Sequence, residues 1–303
     1  MSTDDRQTMA VSGATGMVGS KLVQELQKAG HSVKRIVRLA AQGTDEIALF
    51  DEATESAANA EGLNVVIHLA GENIAGRRWS AKQKELIRSS RVNLTRHLCE
   101  SLSKLKSPPK TLICASAIGY YGDRGNETLT EESPGGTGFL ADVCREWESA
   151  TEPARAAGIR VVNLRIGVVL AREGGALAKM LTPFKFGLGG RVGPGTQYWS
   201  WITLPDLVRV IQFTISTPTL SGPVNAVSPQ PLTNLEFTKV LGQALHRPTI
   251  FPLPSFMARL MLGEMAQDLL LASIRVVPNK LQSARFKFQH GDLATGLNGV
   301  LKM

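Results

Sequence analysis

The chain has 303 residues, room for one large α/β domain or a main domain with a small appendage, and its net charge of +8 is spread along it. At 43% hydrophobic and 20% charged residues it has the composition of a globular protein, and no apolar run approaches the roughly 18–20 residues of a membrane span. Cys99, Cys114 and Cys144 are odd in number, widely spaced and without a zinc or redox motif, so three buried thiols in a reducing cytoplasm are expected.

The opening MSTDDRQTMA is polar and acidic and is not read as a signal peptide. A short strand through Met9, Ala10 and Val11 then runs into Gly13, Gly16 and Gly19, spaced GxxGxxG, and a helix-like SKLVQELQKAG follows. Glycine lets the backbone turn tightly and approach a ligand. The helix behind it aims free N–H groups and its positive dipole end at the turn, where a pyrophosphate fits. HSVKRIVR (31–38) is the second strand. Where an acidic residue would bind the ribose hydroxyls of NAD, this sequence has Arg38, with Lys34 and Arg35 nearby. A guanidinium suits a phosphate, so NADP(H) is the expected cofactor.

LNVVIHLAG (63–71) reads as a buried parallel strand. A basic cluster (Arg77, Arg78, Lys82, Lys84, Arg88, Arg91 and Arg96) is opposed internally only by Glu85. It suits a phosphate-bearing small ligand or a solvated helix face. With no nucleic-acid motif and 6% aromatics, no nucleic-acid partner is expected; the expected partner is a small-molecule substrate, and without a spanning apolar run no membrane is expected. A homodimer is a candidate assembly. Residues 80–104 have helical periodicity, with Ser80 as cap; TLICASA (111–117) and VVNLRIGVVL (161–170) are strands, and 137–157 a helix between them. This alternation predicts a doubly wound parallel sheet covered by helices, with ligands beyond the carboxyl ends of its strands.

Gly187, Gly189, Gly190, Gly193 and Gly195 precede Trp199 and Trp201. The segment reads either as a mobile substrate cover with stacking tryptophans, flanked by Lys185 and Arg191 for an anion, or as a structural loop. After about residue 228 the character changes: a capped helix from Thr233 or Asn234 to His246, Pro-punctuated chain, an apolar SFMARLMLG helix and a final amphipathic stretch. The expected division is a dinucleotide-binding domain over 8–228 and a small substrate-side lobe over 229–303. His31, His68, His97, His246 and His290 have no metal-ligand spacing, and His68, within an apolar strand, reads as a core histidine.

GATGMVG, VIHLAGENI (66–74), RRW (77–79), SAIGYYGDRG (116–125), LRIGVVLAREGGALAKMLTPFKFGLGG (164–190) and SWITLPD (200–206) together resemble the extended short-chain dehydrogenase/reductase superfamily. More narrowly, the chain resembles the "epimerase family" proteins that carry an additional C-terminal module. The resemblance spans nearly the whole chain and implies a Rossmann-like NADP-binding domain with a small C-terminal substrate lobe. It implies that Gly13, Thr15, Gly16, Met17, Val18 and Gly19 hold the pyrophosphate and that Arg38 meets the 2′-phosphate. Leu69, Ala70 and Gly71 would border the ribose and nicotinamide side, with Glu72 and Asn73 extending over the cofactor. Arg91 lies on the side of a cofactor or substrate phosphate, and Ile166, Gly167 and Val168 would pack the nicotinamide.

The superfamily's catalytic pattern is a Ser/Thr ahead of a YG pair and a YxxxK helix, in which Tyr is the acid/base and Lys lowers its pKa. Four residues before Tyr121 stands Ala117, with Ser116 one position away. Aligning Glu148 with the pattern's acidic residue puts Leu140 where Tyr belongs and Cys144 where Lys belongs. The dyad is absent. Three readings stay open: Tyr120 or Tyr121 as acid, assisted by Ser116 or Asp142; hydride transfer that needs only positioning; or a non-catalytic NADP(H)-binding sensor. The sequence reading is therefore an oxidoreductase or epimerase acting on a small carbonyl or sugar-like substrate, with the sensor as its alternative.

Overall fold

The apolar runs of the first two-thirds of the chain become the inner strands of one sheet. A computed structural model describes residues 6–37, 43–48 and 60–302. Strand β1 (Thr8–Ser12) leads into α1 (Met17–Lys28), followed by β2 (Ser32–Ile36), β3 (Glu46–Ile47), β4 (Val65–His68) and the long α2 (Ala81–Ser103). Then come β5 (Thr111–Ala117), a 3-10 turn (Ile118–Tyr121), β6 (Thr128–Leu129), α3 (Phe139–Ser149), α4 (Glu152–Ala156) and β7 (Arg160–Ile166). Next are β8 (Val168–Leu170), α5 (Gly175–Lys185), β9 (Tyr198–Trp199), β10 (Trp201–Thr203), α6 (Leu204–Ser216) and β11 (Gly222–Ala226). The chain closes with β12 (Leu232–Thr233), α7 (Asn234–Leu245), α8 (Ser255–Leu262), α9 (Glu264–Ala266), a π-helical turn (Gln267–Leu271), β13 (Arg275–Val276), α10 (Asn279–Ser283) and α11 (Leu293–Lys302).

Seven strands form a sheet in the order β11-β7-β5-β4-β1-β2-β3, parallel at every pairing. The order reverses between β1 and β4, which opens a crevice at their carboxyl ends. Helices α1 and α6 bury Leu22, Leu26, Leu207 and Ile211 against one face, and α2 and α4 bury Leu98, Leu102 and Ala154 against the other. Each fully buried leucine contributes about 1.5–3 kcal/mol, which fixes how the strand ends sit relative to one another. This is the doubly wound α/β architecture expected from the alternation.

Side-chain caps close the starts of α2, α6 and α7. Ser80 caps α2 by accepting the Gln83 N–H at 3.2 Å, and Thr233 with Glu236 forms a capping box on α7. Two expected elements are broken. The 161–170 strand divides at Gly167, because Val168 leaves the main sheet and pairs with Trp201. The 137–157 helix divides because Pro153 begins a new helix after Thr151, whose hydroxyl bonds back to the Glu148 carbonyl at 2.7 Å.

A second core gathers Leu177, Leu181, Phe184, Trp201, Phe237 and Leu297 from α5, β10, α7 and α11. It settles the reading of the tryptophans. Trp201 is fully buried and donates to the Gln230 carbonyl, while Trp199 packs edge-on against Phe237. Neither presents a stacking face. The glycines before them are packed rather than a free cover: a Cβ at Gly190 would lie 2.0 Å from the Phe251 carbonyl oxygen, and one at Gly189 2.6 Å from the Phe184 ring. The final segment returns to the main core, with β13 pairing with β6, and Leu281 and Phe286 packing among the residues of the large sheet.

Candidate functional site

At the crevice, glycines are required by contact. Gly13 has φ +70°, and a Cβ there would sit 2.9 Å from the Ala70 nitrogen. A Cβ at Gly19 would lie 2.2 Å from the Gly13 carbonyl oxygen, so α1 can approach the turn only with hydrogen at that position. Thr15 and Gly16 face outward, exposed. The start of α1 has no side-chain cap among the described residues and no acidic residue in its first turn. Its N–H groups and dipole remain available to an anion. Val18 begins the helix beside Met17, whose sulfur would lie 3.0 Å from a Cβ at Gly174. The second glycine pair, Gly174 and Gly175, thus brings the N-terminus of α5 against the cradle, a contact the single-strand reading did not foresee.

The adjoining loop is fixed from below. The Ser12 hydroxyl accepts the Leu69 and Ala70 N–H groups at 3.2 and 3.3 Å and contacts His68 Nδ1 at 2.6 Å. Burial pushes the His68 pKa down to about 4, so the ring is neutral at pH 7; because the Ser12 oxygen already accepts two main-chain N–H groups, its own O–H is left to donate to Nδ1. Arg91 props the same loop. It donates to the Glu72 carbonyl at 2.9 Å and the Ile87 carbonyl at 3.1 Å, and lies 5.2 Å from the Trp147 ring centroid. Gly71 lies flat on this guanidinium, since a Cβ would be 3.3 Å from its Cζ. Ser90 accepts the Glu72 N–H, Gln83 donates to the Glu72 carboxylate, and Asn73 accepts the Ala75 N–H. Lys179 of α5 reaches the Ala75 carbonyl. Arg38 lies outside the described residues.

The corner after β5 is built differently. Ser116 donates to Glu148 Oε1 at 2.8 Å, and Arg165 grips both Glu148 oxygens at 2.8 Å. Burial alone would lower the Arg165 pKa, but the paired carboxylate raises it above its ordinary value. The same guanidinium donates to the Tyr121 hydroxyl at 3.0 Å and stacks under the Tyr120 ring, 3.4 Å from its centroid. Tyr121 is fully buried, its hydroxyl 2.7 Å from Asn225 Oδ1 and 2.9 Å from the Thr130 carbonyl. Burial pushes its pKa up to about 12. The Tyr120 hydroxyl has no hydrogen-bond partner among the described residues. Asp142 is tied to Arg145. Ile166 ends β7, and Gly167 is pinned because a Cβ would meet the Ser200 carbonyl and Val227 at 2.8 Å; the next residue, Val168, opens β8.

Residues 9–226 match the family model described as the NAD dependent epimerase/dehydratase family, and residues 253–299 match a domain of unknown function, DUF1731. The chain belongs to this epimerase/dehydratase family. An epimerase family protein of Mycobacterium bovis is 44% identical over 290 residues, covering 95% of this chain and 96% of its own. YfhF of Bacillus subtilis is 37% identical over 298 residues, 97% of each chain. Human epimerase family protein SDR39U1, solved with NADPH, has a TM-score of 0.90 at 31% identity, covering 97% of this chain and 99% of that one. A Bacillus cereus UDP-glucuronic acid 4-epimerase, at a TM-score of 0.75 and 18% identity, shares the fold.

Within this family frame, α3 carries Leu140 and Cys144 against Gly119: a Cβ there would lie 3.2 Å from Leu140 Cβ and 3.9 Å from the Cys144 sulfur. Cys144 is buried, and burial pushes its thiol up to about 12. It holds its proton at neutral pH. The Glu148–Arg165 pair was not singled out as functional from sequence. The signal was Arg165 among the inner residues of a buried strand that otherwise holds apolar side chains and Asn163, since a buried charge calls for a charged partner.

Proposed function

We propose that this chain binds NADP(H) in the Gly13–Gly19 cradle and acts as an oxidoreductase or epimerase on a small carbonyl or sugar-like substrate. The observation that carries the reading is the cradle, where glycine contacts leave an uncapped helix N-terminus open to a diphosphate. Gly13, Thr15, Gly16, Met17, Val18 and Gly19 would hold the pyrophosphate. Leu69, Ala70, Gly71, Glu72 and Asn73 would form the wall that Arg91 supports, and Ile166, Gly167 and Val168 would pack beside the nicotinamide ring. Bound NADP(H) supplies a hydride donor or acceptor. The protein's part is orientation and exclusion of water. Of the two tyrosines at this corner, Tyr120 is the one whose hydroxyl has no hydrogen-bond partner among the described residues, and Ser116 is a donor whose proton is at present given to Glu148. Three free buried cysteines suit a reducing compartment such as the cytoplasm.

Arg38 would meet the 2′-phosphate. Titration of the protein with NADPH and NADH should show tighter NADPH binding, and Arg38→Asp should weaken NADPH by about tenfold or more while changing NADH little. Equal loss for both sinks the 2′-phosphate assignment. A second reading, an NADP(H)-binding sensor without turnover, is favoured by Leu140 and Cys144 at the dyad positions. Consumption of NADPH on a panel of carbonyls and nucleotide sugars separates the two.

A further inference from the structure

Helix α8 is amphipathic in an inverted sense. At 100° per residue, Phe256 and Leu260 share one side with Met257 and Met261. That side faces solvent, with Leu260 75% exposed, while the buried residue of α8, Ala258, faces the protein. The apolar surface continues beyond the helix. Residues 189–193 run beside 251–253 through main-chain bonds from Phe251 to Gly189, Leu253 to Arg191 and Gly193 to Leu253. This pairing brings the segment that carries exposed Phe186 and Leu188 alongside the one that carries exposed Ile250 and Phe251, and Pro254 leads directly into α8. An apolar face of this size is not accounted for by the cofactor cradle.

Its rim is cationic. Lys185, Arg191, Arg247 and Arg259 are exposed around it. Arg191 and Arg247 bond main-chain carbonyls and Arg259 bonds Gln267, so no carboxylate neutralises these three among the described residues. Beside the ridge lies an open hollow of about 630 Å³ whose walls include Lys239, His246 and Arg247. Arg247 ties it to the ridge through the Lys185 carbonyl at 2.9 Å. A second copy placed on this face by a two-fold axis would bring the same cations against one another, which disfavours that pairing. An apolar surface ringed by unpaired cations is complementary to an apolar phase bearing anions.

We propose that this face docks on an anionic lipid surface, with α8 and the Phe186–Leu188 ridge entering the acyl boundary and the Lys239–His246–Arg247 hollow receiving a lipid phosphate. No spanning segment is involved: among the described residues no helix is long and apolar enough to cross a membrane. The sequence expectation of no membrane partner rested on that criterion alone.

The test is co-sedimentation of the full chain with vesicles of phosphatidylcholine alone or mixed with phosphatidylglycerol. Expected is at least about tenfold stronger binding to the anionic vesicles, falling steeply with added salt. The exposed pair Phe256→Ser/Leu260→Ser and, separately, Lys239→Glu/Arg247→Glu should each remove most of that binding, with circular dichroism and NADPH affinity unchanged. Absence of binding to anionic vesicles overturns the proposal, as does full retention by the charge-reversal variant. Light scattering that shows a dimer split by Phe256→Ser/Leu260→Ser would assign the face to a second copy and overturn it equally.

Discussion

The glycine cradle and the corner after β5 stand at carboxyl ends of the same sheet, yet they are organised in opposite ways. In the cradle, side chains are missing where the backbone must close in, and hydrogen-bond donors are left open to a ligand. In the corner, the hydroxyl of Tyr121, the carboxylate of Glu148 and the guanidinium of Arg165 are consumed by one another. The difference teaches that one sheet edge can leave backbone donors open at one turn while it commits the buried polar side chains of the neighbouring corner to internal pairing.

Breaking the corner should have the largest effect. Glu148→Ala strands Arg165, which is 3% exposed, and should cost about 3–5 kcal/mol of stability by urea denaturation; if the loss is below ~1 kcal/mol, the corner is not structural. In the cradle, Gly19→Ala forces a Cβ onto the Gly13 carbonyl. It should cost up to about 3 kcal/mol in overpacking and weaken NADPH binding in a fluorescence titration. A variant that binds normally would refute the contact argument.

The strut beneath the cradle predicts a pH dependence. His68 has a folded pKa of about 4 against an ordinary 6.5. Its contribution is complete above pH 6.5, is lost progressively as pH falls from 6.5 to 4 while the unfolded chain takes up the proton first, and is gone below 4, which gives about 2 kcal/mol of destabilisation at pH 5. Comparing denaturation midpoints at pH 7 and 5 for wild type and His68→Asn isolates this slope; equal slopes would remove it. The smallest effects separate the tyrosines. Tyr121→Phe should cost about 1–3 kcal/mol of stability by leaving buried partners unpaired. Tyr120→Phe should leave stability within ~0.5 kcal/mol and, if Tyr120 is the acid, reduce whatever turnover the substrate panel reveals. Full turnover in Tyr120→Phe excludes it.

Much of this was legible in the chain. Strand β5, the Ser80 and Thr233 caps, the glycine turn and the buried cysteines follow from local apolar pattern and turn chemistry, which neighbours in sequence supply. The helix division at Pro153 has a local signal in the proline itself. The strand division at Gly167 has none, since it depends on Ser200 and Trp201 arriving from later in the chain. The tryptophans and the Gly187–Gly195 segment were ambiguous for the same reason: whether they cover a substrate or pack a core depends on Phe184, Phe237 and Phe251.

By itself the sequence determined the doubly wound fold, the cradle and the absence of a Tyr–Lys pair, because periodicity, glycine spacing and residue identity are properties of the chain read in order. Only the tertiary structure decided that Arg165 pairs with Glu148, that Tyr121 is buried while Tyr120 keeps an uncommitted hydroxyl, and that α8 turns its apolar side outward. Burial and ion pairing are relations between segments far apart in the chain. Their energies come from removing water at contacts that exist only after the sheet has closed.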